Sequence, residues 1–413
     1  YKEMLTSELK TALGCTEPIA IAYCVAYAKK VLGKMPDRCE LYCTGSIIKN
    51  ANVVTVPQTG GLRGIEAAAL AGLFGGDATK ELEVLTTLTE DDRRMIHEHM
   101  GGGFVHVHLK EHEASLRIEA VLYAGEDTAS VELIHTHTGI GTVLRNGIVL
   151  HENNQTSTPE KELKYDCLNI ADILAFADTV ELSEIEDLLR VEIRDNTAIA
   201  NEGLEHDWGA RVGKTILAQN GEGLRAKAKA MAAAGSDARM NGCALPVVIN
   251  SGSGNQGLTV SLPVIVYAKE KGIEEERLLR ALCVSNLVAI RQKTEIGRLS
   301  AYCGAVCAAA GAVAGIAYLK GDSYEVISQS VVNSIGCVGG MICDGAKSSC
   351  ASKIAVALDS AFLGYDMASA GDVFQDGEGI VKSGVEETIK NVGRMAREGM
   401  RETNRVILEI MME

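Results

Sequence analysis

Ala301-Tyr-Cys-Gly-Ala-Val-Cys-Ala-Ala-Ala-Gly-Ala-Val-Ala-Gly-Ile-Ala-Tyr-Leu319 runs for nineteen residues without a charge. A membrane span needs about 20 apolar residues, so length alone leaves two readings. Composition decides between them. Ala, Gly and Cys partition weakly into lipid, and Arg298 and Lys320 flank the run. The stretch reads as a buried core helix, and no other segment offers a second span.

Helical periodicity extends on both sides of it. Ile170–Ala177, Ser183–Val191, Arg211–Gln219, Leu224–Ala234, Glu275–Ala289 and Glu386–Met412 carry apolar residues at helix spacing. Upstream the pattern changes. Thr6 or Ser7 caps a helix running toward Leu13, which Gly14 breaks, and Glu17-Pro18 opens a second helix, Ile19–Leu32, ending at Gly33. Arg38 to Val56, Leu82–Leu88, Phe104–Leu109, Ser115–Tyr123 and Ser130–His137 alternate at period two, as strands do. The polar stretch from Glu152 to Lys161 reads as a linker. The expected fold class is α+β, with an α+β domain over residues 1–158 carrying the Cys15 turn and a mostly α-helical catalytic domain over 159–413.

Composition excludes several functions. The chain has 413 residues, 46% apolar and 23% charged, ordinary for a soluble globular protein. Its net charge of −15 repels phosphate backbones, so nucleic acid is excluded as a partner. Aromatic residues make up 4% while Gly reaches 43, a balance that predicts close helix packing in places. Tyr1 to Lys10 is polar and amphipathic, unlike a secretory leader. A cytoplasmic location is expected, where thiols stay reduced and the twelve cysteines are packing residues, metal ligands or nucleophiles.

Three cysteines stand apart. Cys343 and Cys350 bound the polar loop Cys-Asp-Gly-Ala-Lys-Ser-Ser-Cys, and Cys303 lies forty positions earlier. Such a loop can wrap an iron–sulfur cluster and aim N–H groups at its sulfurs. Inert core thiols are the competing reading, with Cys307 and Cys337 as neighbouring candidates. Three thiolates would leave one iron of a four-iron cluster open, the logic that separates catalytic from structural zinc sites, and an open iron is a Lewis acid. No cysteine follows Cys350. Cys15, in a tight turn at a helix N-terminus where the dipole favours thiolate, could fill the fourth position or serve as a base.

Gly252-Ser-Gly-Asn-Gln-Gly257 fits the dinucleotide fingerprint only in letter, since no second strand ends in an acid about twenty residues later and Pro263 interrupts the following helix. As a Gly/Ser/Asn turn feeding a helix it reads as an anion nest, with Asn250, Ser251, Gly252, Ser253 and Asn255 seating a substrate carboxylate, or else as a plain core turn. Thr59 to Gly64 has the same two readings. Lys293 is a candidate second acid/base or carboxylate partner, or a surface helix end. The pairs His97/His99, His106/His108 and His135/His137 suit either a metal or, more simply, solvated strand faces.

Leu13-Gly-Cys-Thr-Glu-Pro18, Val247-Val-Ile-Asn-Ser-Gly-Ser-Gly-Asn-Gln-Gly257, Gly297-Arg-Leu-Ser-Ala-Tyr-Cys-Gly304 and Met341-Ile-Cys-Asp-Gly-Ala-Lys-Ser-Ser-Cys350 together resemble the L-cysteine desulfidase family, related to the iron–sulfur L-serine dehydratases. The resemblance implies a [4Fe-4S] cluster on Cys303, Cys343 and Cys350, with Cys15 as base or active-site thiol. It further implies a cytosolic homodimeric lyase that acts on a small amino acid without pyridoxal phosphate. The serine enzymes show a Ser-Ser-His-Thr-like turn where this chain has Cys-Thr-Glu-Pro, which favours cysteine as substrate. The alternatives are an L-serine or L-threonine dehydratase and a non-catalytic iron–sulfur redox or sensor protein.

Overall fold

The computed structural model describes residues 1–110, 116–152, 165–297 and 299–413. The molecule is α+β, with a six-stranded sheet in its first part and a layered helical assembly after it. The first part runs α1 (Lys2–Glu8), β1 (Thr11–Leu13), α2 (Thr16–Leu32), β2 (Arg38–Cys43), α3 (Gly45–Ala51), α4 (Gly64–Gly75) and α5 (Glu90–His99). Strands β3 (Val105–Leu109), β4 (Arg117–Ala124), β5 (Asp127–Ile134), β6 (Ile140–Arg145) and β7 (Ile148–Glu152) follow. The sheet order is β3-β2-β4-β5-β6-β7, parallel only between β2 and β3. Ile118, Ala120 and Leu122 alternate inward along β4, and α2 packs on β4 and β5. There the Cys24 thiol donates to the Val131 carbonyl at 3.2 Å.

The helical part comprises α6 (Ile170–Thr179), α7 (Glu186–Glu205), α8 (Val212–Asn220), α9 (Leu224–Met240), strand β8 (Pro246–Val248) and α10 (Gly254–Lys271). It continues through α11 (Glu275–Ile296), α12 (Gly304–Lys320), α13 (Tyr324–Val338), α14 (Cys350–Ala370), α15 (Val385–Arg394) and α16 (Arg401–Met412). The uncharged stretch is α12, buried from Ala305 to Leu319. No helix among the described residues is long and apolar enough to cross a membrane. Small residues let α12 lie directly on α11: a Cβ at Gly311 would stand 2.5 Å from the Ser285 carbonyl oxygen.

Several sequence expectations are corrected. The first helix ends at Glu8, because Thr11–Leu13 pairs antiparallel with Pro246–Val248, residues far away in sequence. Of the stretch to Val56 only Arg38–Cys43 is a strand; Gly45–Ala51 folds into α3, and Thr55 makes an isolated bridge to Arg63. Leu82–Leu88 is a short 3₁₀ turn and loop rather than a strand. Helix α10 runs through Pro263, held by its packing on α9 and α12. The segment Glu386–Met412 is split by a π-helical turn at Met395–Gly399. His97 and His99 sit on α5, not on a strand. Ser115, Arg298 and most of the linker segment lie outside the described residues.

The α11–α12 contact generates a test. Gly311→Ala should cost ~1–3 kcal/mol by overpacking, read as a lower thermal unfolding midpoint. An unchanged midpoint would mean the two backbones are not in contact.

Candidate active site

One cavity of ≈ 100 Å³ gathers residues from both parts of the chain. Cys15, Ser251, Gly252, Ser253, Asn255, Lys293, Cys303, Cys343 and Cys350 all line it. Asn250 does not. It is fully buried beneath the turn, where its side-chain amide donates to Asn286 Oδ1 at 2.8 Å and its Oδ1 accepts from Ser251 Oγ at 2.9 Å. Asn250 therefore holds the turn rather than facing the cavity, a correction to the sequence reading.

The local folding follows from turn chemistry. Ser251 and Gly252 both take positive φ, and Asn250 and Ser253 exchange backbone hydrogen bonds across them. Ser253 then caps α10, its hydroxyl accepting from the Gln256 N–H at 3.5 Å. The Cys15 turn is tied to this one by Thr16 Oγ1, which donates to the Gly252 carbonyl at 2.9 Å. Cys15 is the N-cap of α2, Cys303 the N-cap of α12, and Cys350 the first residue of α14. Four helix N-termini thus open on one cavity.

The three C-terminal cysteines are held by backbone and cation contacts. Cys303 N–H donates to the Met341 carbonyl at 2.8 Å, and Cys343 N–H to the Ala301 carbonyl at 2.6 Å. Lys347 Nζ donates to the Asp344 and Gly345 carbonyls at 2.9 and 3.1 Å. Lys353 bridges the Ile342 carbonyl, at 2.9 Å, and Asp344 Oδ1. From the other part of the chain, buried Lys49 reaches the Cys343 carbonyl at 3.1 Å and Asn404 Oδ1 at 2.7 Å. Burial, then the neighbouring Cys343 and Cys350, push the Cys303 thiol up to about 12. Burial also raises the Cys350 thiol, so thiolates at Cys303 and Cys350 need positive charge beside them, which iron ions would provide. No three His, Cys, Asp or Glu side chains among the described residues converge as they would on a single metal ion. Cys303, Cys343 and Cys350 all line the cavity, and the last two lie close enough to Cys303 to raise its thiol.

The Cys15 thiol departs from expectation. Burial first, and then the Glu17 carboxylate, push it well above its ordinary value, so the dipole of α2 does not make it a thiolate here. It donates to Glu17 Oε2 at 3.2 Å. Burial alone would raise Glu17, but the facing His137 and the Cys15 thiol hold it at about 2. At 3.7 Å the His137 Nε2–Glu17 Oε1 contact is an electrostatic pairing rather than a direct hydrogen bond. Asn50 Nδ2 donates to Glu17 Oε1 at 3.0 Å.

Sequence reasoning missed Glu17, Asn50 and Arg239 and weighed His137 only as one of a histidine pair; all four line the cavity. Glu17 was visible only as an acid near a helix start. His137 lies just past β5 and is buried, not on a solvated strand face. Arg239 had a signal: it is a cation near the end of the alanine-rich stretch of α9.

Beneath the glycine turn runs a buried polar chain. Asn286 Nδ2 donates to Glu192 Oε2 at 3.0 Å, and Asn286 Oδ1 receives Asn250. Burial raises Glu192 to about 8, so it is protonated at neutral pH.

The model for the serine dehydratase alpha chain family matches residues 79–409. Among curated relatives, the UPF0597 protein of Lachnoclostridium phytofermentans is 51% identical, the alignment covering 100% of each chain. The UPF0597 protein of Finegoldia magna is 47% identical over 100% of this chain and 99% of its own. That of Treponema denticola is 46% identical over 100% of this chain and 97% of its own.

Glu192 gives a pH test. Its folded value lies above its unfolded one, so the stability it contributes is present below pH ~4.5 and is lost as pH rises through about 8. Glu192→Gln keeps the shape and removes the titration. The variant should melt at a higher temperature than the wild type at pH 8 and closer to it at pH 4.5. Parallel melting curves across that range would refute the buried protonated acid.

Proposed function

Because the chain belongs to the serine dehydratase alpha chain family, we propose that it is a lyase that removes the β-substituent of a small α-amino acid, with L-cysteine as substrate and pyruvate, ammonia and sulfide as products. The observation that carries this is the meeting of Cys15, Cys303, Cys343 and Cys350 around one small cavity at four helix N-termini. Members of this family are generally associated with an iron–sulfur cluster. Here Cys303, Cys343 and Cys350 would hold a [4Fe-4S] cluster, which supplies Lewis-acid chemistry for the leaving group at the iron that no cysteine of the three holds.

The chain's own residues do the rest. The substrate carboxylate docks at the head of α10, where the first-turn N–H groups have no partners within the helix. Cys15 takes the Cα proton. The raised thiol suits that task once ionised, since a stronger base is matched to a weakly acidic C–H. Ionisation requires positive charge in the cavity to offset burial and Glu17. The Arg239 guanidinium already acts on Cys15 in that direction. Elimination leaves aminoacrylate, which tautomerises to the imine and hydrolyses. Lys293, buried at the cavity wall, is placed to serve as a second acid/base.

The family model itself favours a second reading, dehydration of L-serine. The two readings separate in one experiment. Protein reconstituted with iron and sulfide under argon should release sulfide and pyruvate from L-cysteine, and Cys15→Ala should reduce turnover at least ~100-fold. Turnover of L-serine alone would assign the dehydratase reaction. Silence on both substrates with an intact cluster would leave the non-catalytic alternative.

A further inference from the structure

Arg239 is among the largest fully buried side chains of the protein, with 2% of its surface exposed. Its Nε is buried without a hydrogen-bond partner. Among the described residues it forms no ion pair or hydrogen bond. Long charged side chains are rarely buried in this way, because an unpaired interior charge costs several kcal/mol. Two acids, one in the same cavity lining and one on α9, have other partners of their own. The Glu17 carboxylate is taken up by Cys15 and Asn50. Asp237, two positions earlier on α9, accepts from the Gly213 N–H at 3.0 Å. Arg239 lines the cavity and lies against the first residue of α10: a Cβ at Gly254 would fall 2.3 Å from its Nε. Glycine at that position makes room for the guanidinium at a helix N-terminus, so two positive features meet at one place.

The cavity carries matching acceptors. Asn50 Oδ1, Asn255 Oδ1 and Gln256 Oε1 are buried without partners and belong to lining residues. The amide of Asn50 is oriented by its donation to Glu17, and its oxygen is left without a partner. A buried cation beside several unfilled acceptors is complementary to a zwitterion.

We propose that Arg239 is the carboxylate anchor of the site, binding the substrate's carboxylate with its planar fork while Asn50, Asn255 and Gln256 receive the α-ammonium group. The amino-acid identity of the ligand rests on the lyase reading above; the need for an anion at Arg239 does not. Arg239 then fixes which end of the substrate lies deep, and selects α-amino acids over amines of the same size.

The test uses L-alanine, which has no β-leaving group and is not consumed, together with propionate and L-alaninamide. Binding to the anaerobic full-length protein is measured by calorimetry, and melting curves are recorded with and without ligand. Wild type should bind L-alanine, while L-alaninamide and the Arg239→Gln variant should each show affinity lower by about 100-fold or more. Arg239→Lys, which keeps the charge but loses the fork, should fall between. Ligand-free Arg239→Gln should melt no lower than wild type, because the substitution removes a charge without a partner. Binding of L-alanine by Arg239→Gln within threefold of wild type would overturn the proposal. So would a lower melting temperature for both ligand-free variants, which would make the arginine structural. Loss of the cluster's visible absorbance in Arg239→Gln, with L-alanine binding kept, would assign the arginine to the cluster and overturn it too. Arg239-dependent binding of propionate without binding of L-alanine would keep the anion seat and refute the amino-acid reading.

Discussion

Three residues of β-ladder hold the site together. Thr11–Leu13 pairs with Pro246–Val248, and the Ile249 N–H continues the contact to the Lys10 carbonyl at 2.9 Å. Each strand is too short to be stable alone. Both lead within a few residues into a turn that opens a helix: Cys15 into α2, and Ser251–Gly252 into α10. Pairing the strands sets the turns side by side, and Thr16 locks them through the Gly252 carbonyl. Together with Lys49, which reaches the Cys343 carbonyl from α3, the ladder brings Cys15 and the cysteines of the helical part to one cavity.

The electrostatics follow from this arrangement. The chain as a whole carries a charge of −15, yet its cavity collects four helix N-termini, Arg239 and Lys293, with Lys347 and Lys353 bracing the cysteine loop. Each helix terminus contributes about half a positive charge. Against this stands burial, which raises Cys15, Cys303 and Cys350. Burial therefore favours the protonated thiols, while the helix termini and cations around them favour negative charge.

The sequence made some of this legible. Helical periodicity located most helices of the second part, and the uncharged stretch was read correctly as core, because burial on all sides leaves no polar face. The cysteine spacing and the glycine turn pointed to residues that line one cavity. What failed was whatever depended on distant partners. Thr11–Leu13 has no strand signal without Pro246–Val248, and Pro263 breaks a helix only where packing does not hold it. The raised Cys15 thiol depends first on the depth of the turn, which local sequence does not report, and then on the Glu17 carboxylate two residues later. His137 and Arg239 gain their meaning only from what they face. A lone histidine after a strand and a cation in an alanine-rich helix become site residues when the fold buries them.

The contact between Gly311 and the Ser285 carbonyl, where two helices meet without side chains between them, has a mechanical consequence. Backbone pressed on backbone encloses little free volume, and hydrostatic pressure acts on proteins chiefly through the voids that unfolding eliminates. The interior around α12 is therefore nearly incompressible. The cavity at its N-terminus, with its unfilled acceptors and its unpaired guanidinium, is the soft end of the same helix. Compression would send water into that end first, leaving the alanine-rich strut that carries Cys303 in place.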